Sequence, residues 1–168
     1  DNKIARIEPE LAFFFAQELP PRVQPYTPAF VDAAISRTHL ALELINSRYS
    51  DPSQCTFPEM LADGLVNQGL FIGPQVDSDL ARNASEFGIN LRQNGELSIH
   101  HAKHPNTHPR APLYWLAEFL RSQGQGIVAG QAVITGSFAG VLEVPMDTDI
   151  TLDYVGLGKM EVRFKVKS

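Results

Sequence analysis

Twelve prolines and twelve glycines are scattered through the whole of this 168-residue chain, and together they limit how long any regular element can run. Proline removes a backbone donor and fixes φ, and glycine supplies turns, so a chain punctuated this densely favours short strands over long helices. The length is that of one domain with a single sizeable core, here 1–168. Hydrophobic residues make up 43% and charged residues 20%, which excludes a disordered or fibrous chain. Fourteen Lys and Arg against nineteen Asp and Glu leave a net charge of −5. No broad basic surface is then available for phosphates or anionic lipid, and neither nucleic acid nor a membrane is expected as partner. The longest apolar run, Leu11 to Ala16, falls far short of the ~20 residues of a membrane span. Cys55 stands alone and cannot form an internal disulfide, which points to a soluble, reducing, cytoplasmic setting. The chain opens on Asp1 and enters strand-like sequence almost at once, so a missing upstream segment is expected.

From Ile4 to Ala16 the residues alternate, with Ile7, Leu11, Phe13 and Phe15 on one strand face and Arg6, Glu8, Glu10 and Ala12 on the other. Pro9, between the two glutamates, marks an edge or a bulge. A proline-rich connection, Leu19 to Tyr26, leads to a helix capped by Thr27 with Pro28 at its first position, predicted to end near His39. Leu40 to Ile45 reads as a strand in which Glu43 shares a face with Ala41 and Ile45. Asn46 to Pro52 is a loop, Pro58 to Gly64 a short helical turn, and Val66 to Ile72 a strand that Gly73-Pro74 stops. Phe87 to Ile99 forms a hairpin on Asn94-Gly95. A second helix runs from His108-Pro109 to Ser122, with Leu113, Leu116, Ala117 and Leu120 as its core stripe and Gly124 beyond its end. Four short strands follow: Ala129 to Thr135, Gly140 to Val144, Asp149 to Val155 and Lys159 to Val166. The sum is a β-rich α+β domain with two main helices.

Glu8 and Glu10 are the sharpest chemical feature. Alternate strand residues project to one side with Cα atoms about 6.5–7 Å apart, near enough for both carboxylates to reach one cation. A Glu-x-Glu pair alone is ordinarily a solvated sheet face. Glu43 alters the balance, because a third carboxylate inside an apolar run is costly without a partner. Three carboxylates are hard ligands suited to Mg²⁺ or Mn²⁺, with about three octahedral positions left for water and substrate. His100, His101, His104 and His108 have a spacing that a helix could turn into a zinc site, but Pro105 and Pro109 favour a solvated loop. His39 is read as a helix-end residue and Cys55 as an inert thiol. Gly124-Gln-Gly126 is too short for a phosphate loop. Thr135-Gly136-Ser137 offers hydroxyl and N–H donors to an anion, and is equally an ordinary turn.

Ile7-Glu-Pro-Glu-Leu-Ala-Phe13, Ala41-Leu-Glu-Leu-Ile-Asn-Ser-Arg48, Leu61-Ala-Asp63 leading to Leu70-Phe-Ile-Gly-Pro74, Leu113-Tyr-Trp-Leu-Ala117, Val133-Ile-Thr-Gly-Ser137 and Gly156-Leu-Gly158 occur in a distinctive order. In that order the chain resembles the fumarylacetoacetate hydrolase superfamily, in its 2-keto-4-pentenoate hydratase and 4-oxalocrotonate decarboxylase branch, over nearly its whole length.

The resemblance implies a mixed β-roll of the fumarylacetoacetate hydrolase C-terminal type and a Mg²⁺ or Mn²⁺ held by Glu8, Glu10 and Glu43. It implies a small 2-oxo acid or 2-hydroxydienoate substrate and a homo-oligomer. Asp63, in the family's Ala-Asp motif, is implied as catalytic through orienting water or a side chain, and Thr135, Gly136 and Ser137 as the substrate turn. Where the branch continues Ala-Asp with Asn-Ala-Ser, this chain has Gly64-Leu65-Val66, so its pocket is less polar there. Relatives also carry an amino-terminal region over the metal site. The activity expected first is hydration of a 2-hydroxy-2,4-dienoate to a 4-hydroxy-2-oxo acid in aromatic catabolism. The alternatives are decarboxylation of 2-oxo-3-hexenedioate, with Arg48 seating the second carboxylate, or a truncated, non-catalytic metal-binding subunit of the same fold.

Overall fold

The computed structural model describes residues 3–166, so Asp1, which opens the chain, lies outside the described residues. The elements run β1 (Ile4–Phe15), α1 (Pro28–Ala34), β2 (Ile35–Ile45), α2 (Phe57–Ala62), β3 (Asn67–Val76), α3 (Ser78–Arg82), β4 (Glu86–Gln93) and β5 (Glu96–Lys103). After them come α4 (Ala111–Ser122), β6 (Ala132–Ile134), β7 (Leu142–Pro145), β8 (Ile150–Tyr154) and β9 (Gly158–Val162). Two sheets result. One has the order β3-β2-β1-β6 with β7 also on β1, and the other β5-β4-β8-β9. Every strand pairing among the described residues is antiparallel. The expected β-rich α+β architecture is present, and none of the described helices is long and apolar enough to cross a membrane.

The alternation in β1 is realised. Ile7, Leu11 and Phe13 are fully buried, and they join Leu40, Leu42, Ile89, Leu113, Ile150, Leu152 and Tyr154 in one core cluster. Each such side chain contributes about 1.5–3 kcal/mol by leaving water. Pro9 makes neither an outer edge nor a bulge. On one side it pairs with Leu42, and on the other it faces a gap, because β7 pairs β1 only as far as Ile7 and β6 only from Ala12. A central strand tolerates proline there because no ladder partner asks for its missing N–H. The Pro9 carbonyl instead accepts from the Phe138 N–H at 3.0 Å.

Thr27 caps α1 as expected, its hydroxyl accepting the Phe30 N–H at 3.2 Å. The helix then ends at Ala34, five residues before His39, and His39 lies within β2. Ile35 and Thr38 are β-branched, and β2 pairs with β1 along almost its full length, from Phe15↔Ile35 to Arg6↔Ile45. That ladder outweighs helical continuation. Nor do Gly73 and Pro74 stop β3. Its register against β2 shifts between His39 and Ala41, opening a bulge that takes both residues, and β3 is an edge strand where proline is tolerated. The short helix α3, capped by Asp77, was not foreseen.

The Asn94-Gly95 hairpin forms, both residues having φ in the left-handed region at 52° and 79°. Helix α4 closes as expected on Gly124. The Gln125 N–H reaches the Leu120 carbonyl at 2.8 Å and the Gly124 N–H reaches Arg121 at 3.1 Å.

Candidate metal centre

The register of β1 against β2 builds the site. Glu8 lies opposite Glu43, and Glu10 lies opposite Ala41, one step diagonally from Glu43. All three side chains therefore leave the sheet on the face away from Ile7 and Leu42. One carboxylate oxygen from each falls within 4.8 Å of the other two. Oxygen ligands at about 2.0–2.6 Å from one centre span no more than roughly 5.2 Å, so a single cation could touch all three.

Burial makes this arrangement electrostatically expensive. Glu10 is 1% exposed, and Glu8 and Glu43 are half-buried. Desolvation pushes the Glu10 carboxyl up to about 7, and the adjacent Glu43 and Glu8 charges add to the rise, against the Gly136 N–H bond that favours the ionised form. Glu8 is raised as well, first by burial and then by Glu43. A hard, all-oxygen donor set that resists ionising unaided fits a divalent ion, whose charge would let all three stay deprotonated.

Neighbours hold the carboxylates in place. The Gly136 N–H donates to Glu10 Oε2 at 2.8 Å, so the anion met by the turn's donor is the chain's own Glu10. The Asn67 side-chain amide donates to Glu43 Oε1 at 2.7 Å. Beneath the Glu10–Ala41 pair, the buried Tyr154 hydroxyl donates to the Ala41 carbonyl at 3.1 Å. Burial, and then the Glu10 charge, raise the Tyr154 pKa far above the usual phenol range.

The other expected site residues are distributed as follows. Asp63 ends α2 and is bound to Arg48, which sits in the loop after β2. Its Oδ1 takes the Arg48 guanidinium at 3.0 Å, and its Oδ2 takes the Arg48 N–H at 3.1 Å and the Ser47 hydroxyl at 3.3 Å. Burial raises the Asp63 carboxyl, but these bonds outweigh it and the net shift is downward. Asp63 is not among the carboxylates that meet within 4.8 Å. The Ser137 hydroxyl turns back on its own loop, to the Gly140 carbonyl at 3.1 Å. Thr135 Oγ1 lies 3.3 Å from His104 Nε2.

The histidine segment corrects the expectation of a solvated loop. His100 and His101 lie on β5, and His104 is buried at 1% exposure, although no zinc-type cluster involving them exists among the described residues. The strand β5 extends further than its polar composition suggests because it pairs fully with β4, and the His104 ring packs edge-on to Phe138 at 5.0 Å. Asn67 and His104 were the residues missed, while Gly136, expected at a substrate turn, instead gives its N–H to Glu10. Asn67 reaches Glu43 through the pairing of β3 with β2, and His104 meets Thr135 beside Gly136. A cavity of about 670 Å³ lies further along the two strands from Glu8 and Glu43, lined by Arg6, Leu44, Ile45, Asn46 and Phe164 among others.

No family model matches the chain. Among curated proteins it is similar to the 4-oxalocrotonate decarboxylase of Pseudomonas putida, 26% identical over 135 residues, covering 80% of this chain and 51% of that protein. The chain thus spans about half the length of the curated relatives it matches. Among solved structures it is similar to 4-oxalocrotonate decarboxylase from Pseudomonas putida G7 complexed with magnesium and adipate, with a TM-score of 0.74 and 24% identity over 96% of this chain and 60% of that one. The same enzyme complexed with calcium and acetate aligns at a TM-score of 0.73 and 26% identity, again over 96% of this chain and 60% of that one. In the order of its motifs and in its fold, the chain resembles the 4-oxalocrotonate decarboxylase branch of the fumarylacetoacetate hydrolase superfamily.

Proposed function

We propose that this chain carries the metal centre of a lyase that decarboxylates an unsaturated 2-oxo diacid of the 2-oxo-3-hexenedioate type. The observation that carries the reading is the meeting of Glu8, Glu10 and Glu43 within 4.8 Å on a desolvated sheet face. The relatives favour decarboxylation over the hydration expected first from the motifs, because the curated matches share the decarboxylase name.

Glu8, Glu10 and Glu43 would hold a divalent cation such as Mg²⁺, which supplies Lewis-acid charge to the 2-oxo acid end of the substrate as negative charge develops there. The protein's own groups prepare that place. Gly136 N–H and the Asn67 amide fix one oxygen of Glu10 and one of Glu43. Their other oxygens are left to converge, which limits the reorganisation needed on binding. Thr135, at the same turn as Gly136, offers a hydroxyl to a substrate oxygen. Arg48 serves as the seat for the second carboxylate. Asp63 engages only its Nη1, so a planar fork that already carries one carboxylate still has donors for another. Asp63 contributes by holding that guanidinium.

In the reaction the bond to the distal carboxylate breaks, carbon dioxide leaves, the bonding pair passes through the conjugated carbons to the 2-oxo oxygen, and a proton neutralises the resulting dienolate. The test is to supply 2-oxo-3-hexenedioate with Mg²⁺ and follow carbon dioxide and the organic product together. The expected result is Mg²⁺-dependent carbon dioxide release that falls at least 100-fold in Glu43→Gln. Mg²⁺-dependent water addition to a 2-hydroxy-2,4-dienoate supplied in a parallel assay, without carbon dioxide release from the diacid, would return the assignment to the hydratase. A Mg²⁺-stabilised chain with neither activity would leave only a metal-binding role.

A further inference from the structure

His104 is the buried titratable group that the metal centre leaves without a role. Its ring lies at the end of β5, 1% exposed, edge-on to Phe138 and followed by Pro105, which packs against Gly136. Its hydrogen bonds define its proton. Nδ1 accepts the Asn106 N–H at 3.1 Å, and a ring nitrogen that accepts carries no hydrogen. Burial disfavours the imidazolium, so the ring is neutral and its one proton sits on Nε2, an assignment made from the bonding network. Nε2 faces Thr135, and its N–H is shared between the Thr135 Oγ1 at 3.3 Å and the Thr135 backbone carbonyl.

The consequence falls on Thr135. A hydroxyl that accepts from His104 keeps its own proton to donate, and among the described residues no protein acceptor takes it. Thr135 is half-buried and immediately precedes Gly136, whose N–H holds Glu10 at 2.8 Å. We propose that His104 is a positioning residue that fixes the polarity of the Thr135 hydroxyl, making it a one-way donor to an anionic oxygen of a 2-oxo acid bound beside Glu10. The proposal rests on the metal-dependent 2-oxo acid reading above, and adds to it the residue that orients one of its donors.

The tautomer is tested directly on the ¹⁵N-histidine-labelled chain by long-range ¹H–¹⁵N correlation near neutral pH. The expected signature is a neutral His104 protonated at Nε2, and a proton on Nδ1 overturns the proposal whatever the ligand does. Calorimetric titration with Mg²⁺ alone, then with 2-oxoadipate in the presence of Mg²⁺, tests the consequence. His104→Phe keeps a buried ring and removes the donor. It is expected to weaken 2-oxoadipate binding about fivefold to tenfold while leaving Mg²⁺ affinity within about twofold. His104→Gln, whose amide can donate from near the Nε2 position, is expected to recover most of that loss. Thr135→Val should match His104→Phe, and the double variant should lose no more than either single one. Additive losses, or equal losses for Mg²⁺ and 2-oxoadipate, assign His104 a structural role only and leave the functional reading standing. A wild-type chain that binds no Mg²⁺ overturns the functional reading and this proposal with it, while the tautomer still reports on the bonding network. If His104→Phe does not fold, Thr135→Val and the tautomer decide.

Discussion

Glu10 is where chemistry and stability oppose one another most directly. It is buried to 1% exposure beside two other carboxylates, with its pKa pushed up to about 7 by desolvation and by Glu43 and Glu8. In an unfolded chain the same group titrates near its ordinary value of 4.5. Below that value both states are protonated and Glu10 costs nothing. As pH rises from 4.5 to about 7 the unfolded chain sheds the proton while the folded chain keeps it, so stability falls with pH, and it levels off above 7. The loss approaches roughly 3 kcal/mol by pH 8 for the metal-free protein, at about 1.4 kcal/mol per pH unit of displacement. Urea denaturation in chelator at pH 5 and pH 8 measures it. Wild type should be less stable at pH 8 by an amount of that order, and Glu10→Gln should lack most of the difference. Equal stabilities for wild type at the two pH values would show that Glu10 ionises freely. The three glutamates were legible in the sequence because two sat on one face of an obvious strand and the third broke an apolar run. Their holders were not. Asn67 is a polar residue at the start of β3 and the Gly136 donor is backbone, so neither carries a local pattern that announces Glu10 or Glu43.

At the scale of elements, β1 organises the molecule by serving three neighbours. It pairs with β2 along its length on one side, and with β7 and β6 in succession on the other. The gap between those two partners is where Pro9 is tolerated and where the loop after β6 brings Gly136 to Glu10. The alternation in β1, the Asn94-Gly95 hairpin and the end of α4 at Gly124 could be read from residues because each is decided within a few positions of its own sequence. The start of β2 and the continuation of β3 through Gly73-Pro74 could not. There the pairing partner lies elsewhere in the chain, and it overrules local helix and breaker signals. The connection after β1 illustrates how tightly such long-range pairings are held. Leu19 and Ile127 form an isolated antiparallel bridge with N–H to carbonyl distances of 2.8 and 3.0 Å. A Cβ built on the adjacent Gly126 would lie 2.2 Å from the Leu19 carbonyl oxygen and 3.1 Å from the Pro20 Cα, both backbone atoms that cannot swing aside. Gly126→Ala is expected to lower the urea midpoint by an amount equivalent to about 1–3 kcal/mol, the usual cost of overpacking, without changing Mg²⁺ affinity by more than about twofold. An unchanged midpoint would mean that the bridge yields at no cost.

At the scale of the whole molecule, the centre ties together distant stretches of chain. Glu10 is held by a residue 126 positions away, Glu43 by one 24 positions away, and both strands are backed by Tyr154 from the second sheet. An ion that engages all three carboxylates would therefore act on global unfolding rather than on one loop, since opening either sheet contact disperses the ligands. Binding that is confined to the folded state stabilises by RT ln(1 + [L]/Kd), about 2.7 kcal/mol at one hundred times Kd. For a chain of this size each kcal/mol moves the midpoint by roughly 2–4 °C, so saturating Mg²⁺ should raise Tm by about 5–10 °C. The rise should be larger at pH 8 than at pH 5, because the ion binds the deprotonated carboxylates and removes the repulsion that costs stability at high pH. Differential scanning calorimetry over a Mg²⁺ series at both pH values, with Glu43→Gln alongside, makes the comparison. A common midpoint across the series for wild type would mean that the three glutamates meet without holding an ion. A rise preserved in Glu43→Gln would move the binding site to other residues.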